Sequence, residues 1–269
     1  NDSNYPDVTP ERDGKRLIVQ PNTFNMYCHR EPRFYLTVVW NGQWFKWENR
    51  NTNFLYGQPD GGPTHDAPQN GYLNRSRVSL DYIPRDNNHP YRPAIIFRMA
   101  EAYLSYAEAL NESSERMSHK QEILDNLNKI RHRAGIAEYG TGTDENGFTR
   151  IKINFSDQKE VRRLIHKERR VEFVGEGVRY HDLRRWKTAH YGIGNLNEQG
   201  ENPDWGVNGP DYGMNYYGTE YTDQGDNAFF KRTKYMDRVY PRKFYWYPIH
   251  QSEIDKDPTL VQGPFWLGE

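Results

Sequence analysis

Arg98-Met-Ala-Glu-Ala-Tyr-Leu-Ser-Tyr-Ala-Glu-Ala-Leu-Asn-Glu112 is the stretch whose reading decides the fold. Ile96, Ala100, Tyr103, Ala107 and Leu110 recur at helical spacing, and Ile95, Met99, Ala102, Tyr106 and Ala109 form a neighbouring stripe. Arg98, Glu101, Ser105, Glu108 and Glu112 fill the third face. The period predicts a helix that opens near Pro93 and is buried over two of its three faces. Asn111-Glu-Ser-Ser114 interrupts it, and Ser118-His-Lys-Gln121 has the form of a capping box that opens a second helix. Ile123, Leu127, Ile130 and Ala134 line that helix, with Gly135 placed as its C-terminal cap. Two helices joined by a short polar turn make an αα-hairpin similar to one tetratricopeptide unit, which needs neighbours to cover its faces.

Working outward towards the C-terminus, Asp157 followed by Glu160 predicts the start of a third helix. It runs through Val161, Leu164, Ile165, Val171 and Phe173 to Gly175 or Gly177, and a short fourth helix spans Arg179 to Lys187. From Tyr191 to about Asp226, Gly, Asn, Asp, Tyr and Trp dominate without helical period, as in a long structured loop or an insertion. Strand-like segments follow at Ala228 to Arg232 and Lys243 to Ile249. Towards the N-terminus, Phe34 to Trp40 and Gln43 to Trp47 flank Asn41-Gly42 and read as a β-hairpin. Tyr56 to Asn74 reads as a surface loop. The expected organisation is therefore α+β and mainly α. A β- and loop-rich segment covers 1–92, a helical segment 93–190 and a loop-rich C-terminal segment 191–269.

The chain has 269 residues and a formal net charge of −1, so neither a long basic stripe for nucleic acid nor an acidic tail dominates it, and no nucleic-acid partner is expected. Hydrophobic residues make up only 35%, and large rings supply the missing area: 12 Phe, 7 Trp and 20 Tyr. Near-zero charge argues against disorder despite that polarity. No segment approaches the ~20 consecutive apolar residues of a membrane span, and Asn1-Asp-Ser-Asn-Tyr-Pro6 lacks the features of a signal peptide. The chain as given is expected to be soluble. A single cysteine, Cys28, supports neither an internal disulfide nor a cysteine-based zinc site.

The helical hairpin, from Arg98 to Glu112 and from Leu127 to Ile136, resembles the last hairpin of the SusD/RagB family of outer-membrane nutrient-binding lipoproteins. Glu168-Arg-Arg-Val-Glu-Phe-Val-Gly-Glu-Gly-Val-Arg-Tyr-His-Asp-Leu-Arg-Arg-Trp186 is similar to that family's most characteristic stretch. Tyr247 to Gln262 resembles its C-terminal signature, and Arg30-Glu-Pro-Arg-Phe34 fits in the same order. His250 departs from a usual Pro, Gly175 from a bulkier residue, and Gly263-Pro-Phe265 from the usual Asn-Pro-Gly ending. The resemblance covers the family's C-terminal half, so the chain looks like a fragment whose parent would carry the N-terminal half and the lipid anchor. It implies non-catalytic capture of an oligosaccharide at the outer-membrane surface and delivery to a SusC-like, TonB-dependent transporter. Alternatives are peptide binding, as in the RagB branch, or a docking module for the transporter with no ligand of its own.

The residues allow two readings at each candidate site. Glu168, Glu172 and Glu176, spaced by four and close in sequence to Arg169, Arg179, Asp182 and Arg185, could form the paired carboxylates of a glycoside hydrolase, about 5 to 9 Å apart. The preferred reading is an ion-pair network that pins the third and fourth helices. The nine His show no metal-ligand spacing, and no nucleophile elbow or phosphate loop is present. No cofactor and no catalytic residue is expected. Trp44, Trp47 and Tyr56 are one candidate platform on which a pyranose could stack. Trp205, Tyr212, Tyr216, Tyr217 and Tyr221, on the Gly- and Asn-rich loop, are a second. The same rings could instead cover the core, the missing half or a partner.

Overall fold

Arg98, the residue expected inside the first helix, adopts extended backbone (φ −140°, ψ 153°) in the computed structural model and caps a helix that begins one residue later. The structure describes residues 19, 21–45, 48–76, 78, 86–87, 89–91, 93–192 and 206–267. Backbone contacts divide the chain into two units, 1–176 with 214–231, and 177–213 with 232–269.

In the first unit, helix α1 spans Pro32–Thr37, α2 Met99–Glu112, α3 Lys120–Arg133 and α4 Gln158–Glu172. Helix α2 packs against α3 and α4. Its buried side carries Ala100, Leu104, Ala107, Glu108, Leu110 and Asn111. Met99 and Tyr106 are exposed, as are Ile95 and Ile96 in the non-helical lead-in, so one face is buried rather than the expected two. Glu108, assigned by period to the polar face, points inward because α4 offers Arg169 and His166 at 3.9 and 3.8 Å. The onset near Pro93 fails because the Arg98 guanidinium is drawn onto Glu172 at the end of α4 and Glu176 just beyond it, which holds Arg98 extended, and residues 93–97 form no helix.

Helix α3 buries Ile123, Leu127 and Ile130 as its period predicts. The capping box does not form: the Ser118 hydroxyl donates to the Glu115 carbonyl at 2.7 Å, and His119 takes the N-cap position. Gly135 does terminate α3, with φ +67°, its N–H on the His132 carbonyl and the Ile136 N–H on that of Arg131. The Asp157 carboxylate caps α4, accepting from the Lys159 and Glu160 N–H groups at 2.9 and 3.1 Å. Asp157→Ala is expected to lower stability by about 1 kcal/mol, measurable as a lower urea midpoint with unchanged slope.

The N-terminal segment corrects the expected hairpin. Residues 32–37 are helical, with Pro32 at the first position and the Thr37 hydroxyl bonded to the Arg33 carbonyl at 2.7 Å. Strand β1 (Val38–Trp40) pairs antiparallel with β4 (Tyr72–Asn74), and β2 (Trp44–Phe45) with β3 (Arg50–Asn51). A turn does sit at Asn41-Gly42, but it joins two small sheets instead of closing one hairpin. The reason lies in residues 52–54, which take both sides of it. Gly42 N–H donates to the Thr52 carbonyl, Thr52 Oγ1 to the Trp40 carbonyl at 2.7 Å, and Phe54 N–H to the buried Asn41 Oδ1 at 2.8 Å. The aromatic core of this unit gathers Tyr27, Tyr35, Trp40, Phe54, Met214, Phe229 and Phe230. Rings thus occupy the space that aliphatics fill in less polar chains.

In the second unit, α5 spans Val178–Arg185, close to the expected fourth helix. Strands β5 (Gly209–Gly213) and β6 (Thr233–Arg238) pair antiparallel, with Gly209 opposite Arg238 and an irregularity at Asp211/Tyr212. The strand expected at 228–232 therefore lies one segment later, because Ala228, Phe229 and Phe230 are buried as an irregular segment of the first unit. Residues 243–249 are not a strand: a 3₁₀ turn covers Arg242–Tyr245, and helix α6 follows at Gln251–Lys256. No helix among the described residues is long and apolar enough to cross a membrane.

Candidate functional site

Tyr56, Tyr216 and Tyr217 come from distant parts of the chain and meet on the first unit. Tyr56 follows β3 on a loop stiffened by Arg50, which bridges both Asp60 oxygens at 2.6 and 2.8 Å while the Asn53 N–H reaches Asp60 at 2.8 Å. Partial burial pushes the Asp60 carboxyl up, but the Arg50 and Asn53 hydrogen bonds outweigh it and hold the group below the usual carboxylate range. The Tyr56 N–H donates to the Gly218 carbonyl at 2.8 Å, which ties the two loops together. On the other side, Asn215 fixes the turn. Its N–H donates to the Phe229 carbonyl at 2.9 Å, its Nδ2 to the Asp226 and Ala228 carbonyls, and its Oδ1 accepts from the Tyr217 N–H.

The resulting rings lie 5.1 Å apart for Tyr216 and Tyr217, 5.5 Å for Tyr56 and Tyr217, and 6.1 Å for Tyr56 and Tyr216. Tyr56 and Tyr216 are half-buried, whereas Tyr217 is 69% exposed. Gly62 underlies this arrangement, since a Cβ there would stand 2.6 Å from the Tyr216 ring. Exposed Gln58, Thr219 and Glu220 on the same two loops add donors and acceptors around the rings. Chemically, the site offers an aromatic ledge with a polar border, which suits a ligand having one C–H face and many hydroxyls.

The remaining expected site residues are not gathered here. Trp44 is half-buried on β2 opposite Asn51, while Trp47 and Trp205 lie outside the described residues. Tyr212 stands on β5 in the second unit, where the Arg232 guanidinium covers its ring at 3.9 Å. Tyr221 is structural: its hydroxyl accepts from the Phe24 N–H at 3.0 Å, and its ring meets Phe230 edge-on at 4.9 Å. Burial pushes the Tyr221 hydroxyl up, against the Phe24 N–H bond. The sequence reading missed Asn215 and Gly62 as supports. An Asn three residues before a Gly is a turn signal, but nothing local says which loop that turn meets.

Glu168 and Glu172 are buried on α4 and enclosed by cations. Arg33 reaches Glu168 at 2.7 Å and Glu172 at 3.0 Å, Arg131 reaches Glu168 at 2.8 Å, and Arg98 and Arg133 both bond Glu172. Glu176 takes two bonds from Arg98, at 2.7 and 2.9 Å. The network is ionic, as expected, but its cations come from α1, the lead-in to α2, and α3. The expected partner Arg185 bonds Asp182 within α5 at 2.9 Å. Burial pushes the Glu172 carboxyl up, yet the bonds from Arg133 and Arg98 hold it below its ordinary value. Each carboxylate oxygen of Glu168 and Glu172 accepts from an arginine, which leaves neither poised to pass a proton to a ligand.

Comparison with known proteins agrees with this architecture. The family model for the SusD family matches residues 8–266. Two SusD-like proteins of Formosa agariphila are each 32% identical, one over 109 residues and one over 103. Those matches span 40% and 38% of this chain but only 18% and 19% of the relatives. A solved SusD-like protein from Bacteroides fragilis superposes with a TM-score of 0.61 at 26% identity, over 88% of this chain and 39% of its own. A SusD-like carbohydrate binding protein from the same species gives 0.54 at 23% identity, over 92% and 44%, and supports the fold alone. The chain thus spans less than half the length of these relatives.

Proposed function

We propose a function on one premise: this chain belongs to the SusD family. It captures oligosaccharides without transforming them, on the ledge formed by Tyr56, Tyr216 and Tyr217, and the whole protein presents them at the outer-membrane surface to a SusC-like, TonB-dependent transporter. The observation that carries this reading is the exposed Tyr217 ring held beside two partly buried ones. A pyranose places its axial C–H bonds on such a ring while its hydroxyls meet the polar border. Shallow stacking gives modest affinity and fast release, which suits hand-over. The name of the second B. fragilis relative, a carbohydrate binding protein, is consistent with this chemistry. The arginine-enclosed Glu168 and Glu172 support a non-catalytic role.

The test is calorimetric titration with soluble glycans. Tyr217→Ala is expected to weaken binding about tenfold, or about 1.4 kcal/mol, without shifting the melting temperature. Equal affinity in the variant sinks the ledge as the site. One observation favours docking as a second use of the chain: Tyr91, Ile95, Ile96 and Phe97 ahead of α2, with Met99 at its first position, form an exposed apolar run.

A further inference from the structure

We propose that the groove between α3 and residues 138–155 is a second binding site, for a neutral oligosaccharide; the ligand class, though not the site, rests on the function proposed above. This open groove encloses about 980 Å³ in the first unit. One wall is a stripe of α3, with Gln121, Asp125 and Lys129 one turn apart and Leu124 beside them. The opposite wall is the segment that carries Thr141, Glu145, Lys152 and Phe155. From Gln121 to His132 the α3 wall runs for about 16 Å at 1.5 Å per residue, long enough for several sugar rings.

Each wall carries a cation and an acid: Lys129 and Asp125 on one, Lys152 and Glu145 on the other. Ammonium groups donate and carboxylates accept, so a hydroxyl, which does both, finds a partner on either side. Leu124, Phe155 and the Tyr103 ring supply apolar surface, with the Lys129 ammonium 4.5 Å from the Tyr103 centroid. An anionic ligand fits less well, because His132 and Arg150 are already turned onto Glu138 at 3.2 and 2.9 Å. A peptide strand also fits less well. The Arg150 N–H and the Ile151 N–H and carbonyl are already bonded to Gly142, Glu138 and Gly140, which closes that edge to strand addition.

The loop wall is built to keep its shape without a ligand. Asn128 brackets Tyr139, accepting from its N–H at 2.8 Å and donating to its carbonyl at 2.9 Å. Arg131 Nε donates to the Ala137 carbonyl at 2.6 Å, and the Asp144 carboxylate accepts from the N–H groups of Glu138, Asn146 and Phe148. Such preorganisation lowers the cost of binding.

The test titrates the full chain with cello-, malto-, xylo-, laminari- and mannohexaose, and with a library of extended peptides. It compares the wild type, the groove variant Asp125→Ala/Lys152→Ala and the ledge variant Tyr56→Ala/Tyr217→Ala, with thermal melts checking that each folds. Expected is a hexaose that binds the wild type at two sites, one weakened about tenfold in the groove variant alone and the other in the ledge variant alone. Three results overturn the proposal: binding lost in the ledge variant and unchanged in the groove variant, no hexaose bound by the wild type, or groove-dependent binding of peptides only. If instead the ledge is the part that is wrong, hexaose binding depends on Asp125 and Lys152 and ignores Tyr56 and Tyr217.

Discussion

Glu172→Gln is expected to cost about 3 to 5 kcal/mol of folding stability at neutral pH, because it removes the shared anion from three arginines, Arg33, Arg98 and Arg133. Arg33 and Glu172 leave only 11% and 2% of their side chains accessible, so little water replaces the lost anion, and Arg33 is left with Glu31 and Glu168 as its carboxylate partners. The pH dependence separates charge from shape. The folded Glu172 carboxyl titrates below its ordinary value, since the arginine bonds outweigh burial. Its contribution is therefore fully present above the unfolded value of about 4.3 and is lost as pH falls through the folded value. Urea unfolding of both proteins at neutral pH and in acid below the unfolded carboxylate range should show a wide gap that narrows as pH falls. A gap that stays constant would mean that the carboxylate's charge is not what holds α4 to its neighbours.

Trp40→Ala is the second large effect, about 3 to 5 kcal/mol. Trp40 is fully buried, with Phe34, Tyr35 and Tyr27 rings at 5.6, 5.4 and 6.0 Å. Deleting the indole leaves a cavity walled by rigid rings, which collapse poorly into the space. Trp40→Phe should recover part of the loss by keeping a ring in place. Chemical denaturation followed by far-UV circular dichroism measures both, and an alanine cost below about 1 kcal/mol would contradict the packing described.

These two residues also show what was legible in the chain. The helices were readable wherever burial follows one period and a local cap agrees, as in α4, where Asp157 caps and Val161, Leu164 and Ile165 point inward. Their boundaries failed where distant side chains intervene. Arg98 delays α2 because Glu172 and Glu176 hold it, and residues 32–37 coil despite their strand propensity, with Arg33 bonded to Glu168 and Glu172. The turn at Asn41-Gly42 was visible, but the partners of β1 and β2 were not, since β1 pairs with residues 72–74. The ledge was legible as residue types and not as a constellation: Tyr56 and Tyr217 are brought together by Gly218 and Asn215, for which no local pattern specifies a partner.

The interleaving of the two units has its own consequence for how the protein is made. Met214, Phe229 and Phe230 complete a core whose other buried members all lie between Val19 and Phe54, with residues 177–213 intervening as part of the other unit. A chain severed after Glu176 would keep the αα-hairpin and α4 but lose that closing segment and two of the three ledge tyrosines. During synthesis from the N-terminus, the ledge can be assembled only after residue 217 has left the ribosome. An assembled ledge is in this sense a certificate of completed folding, issued only by molecules that have threaded their late residues back into their early ones.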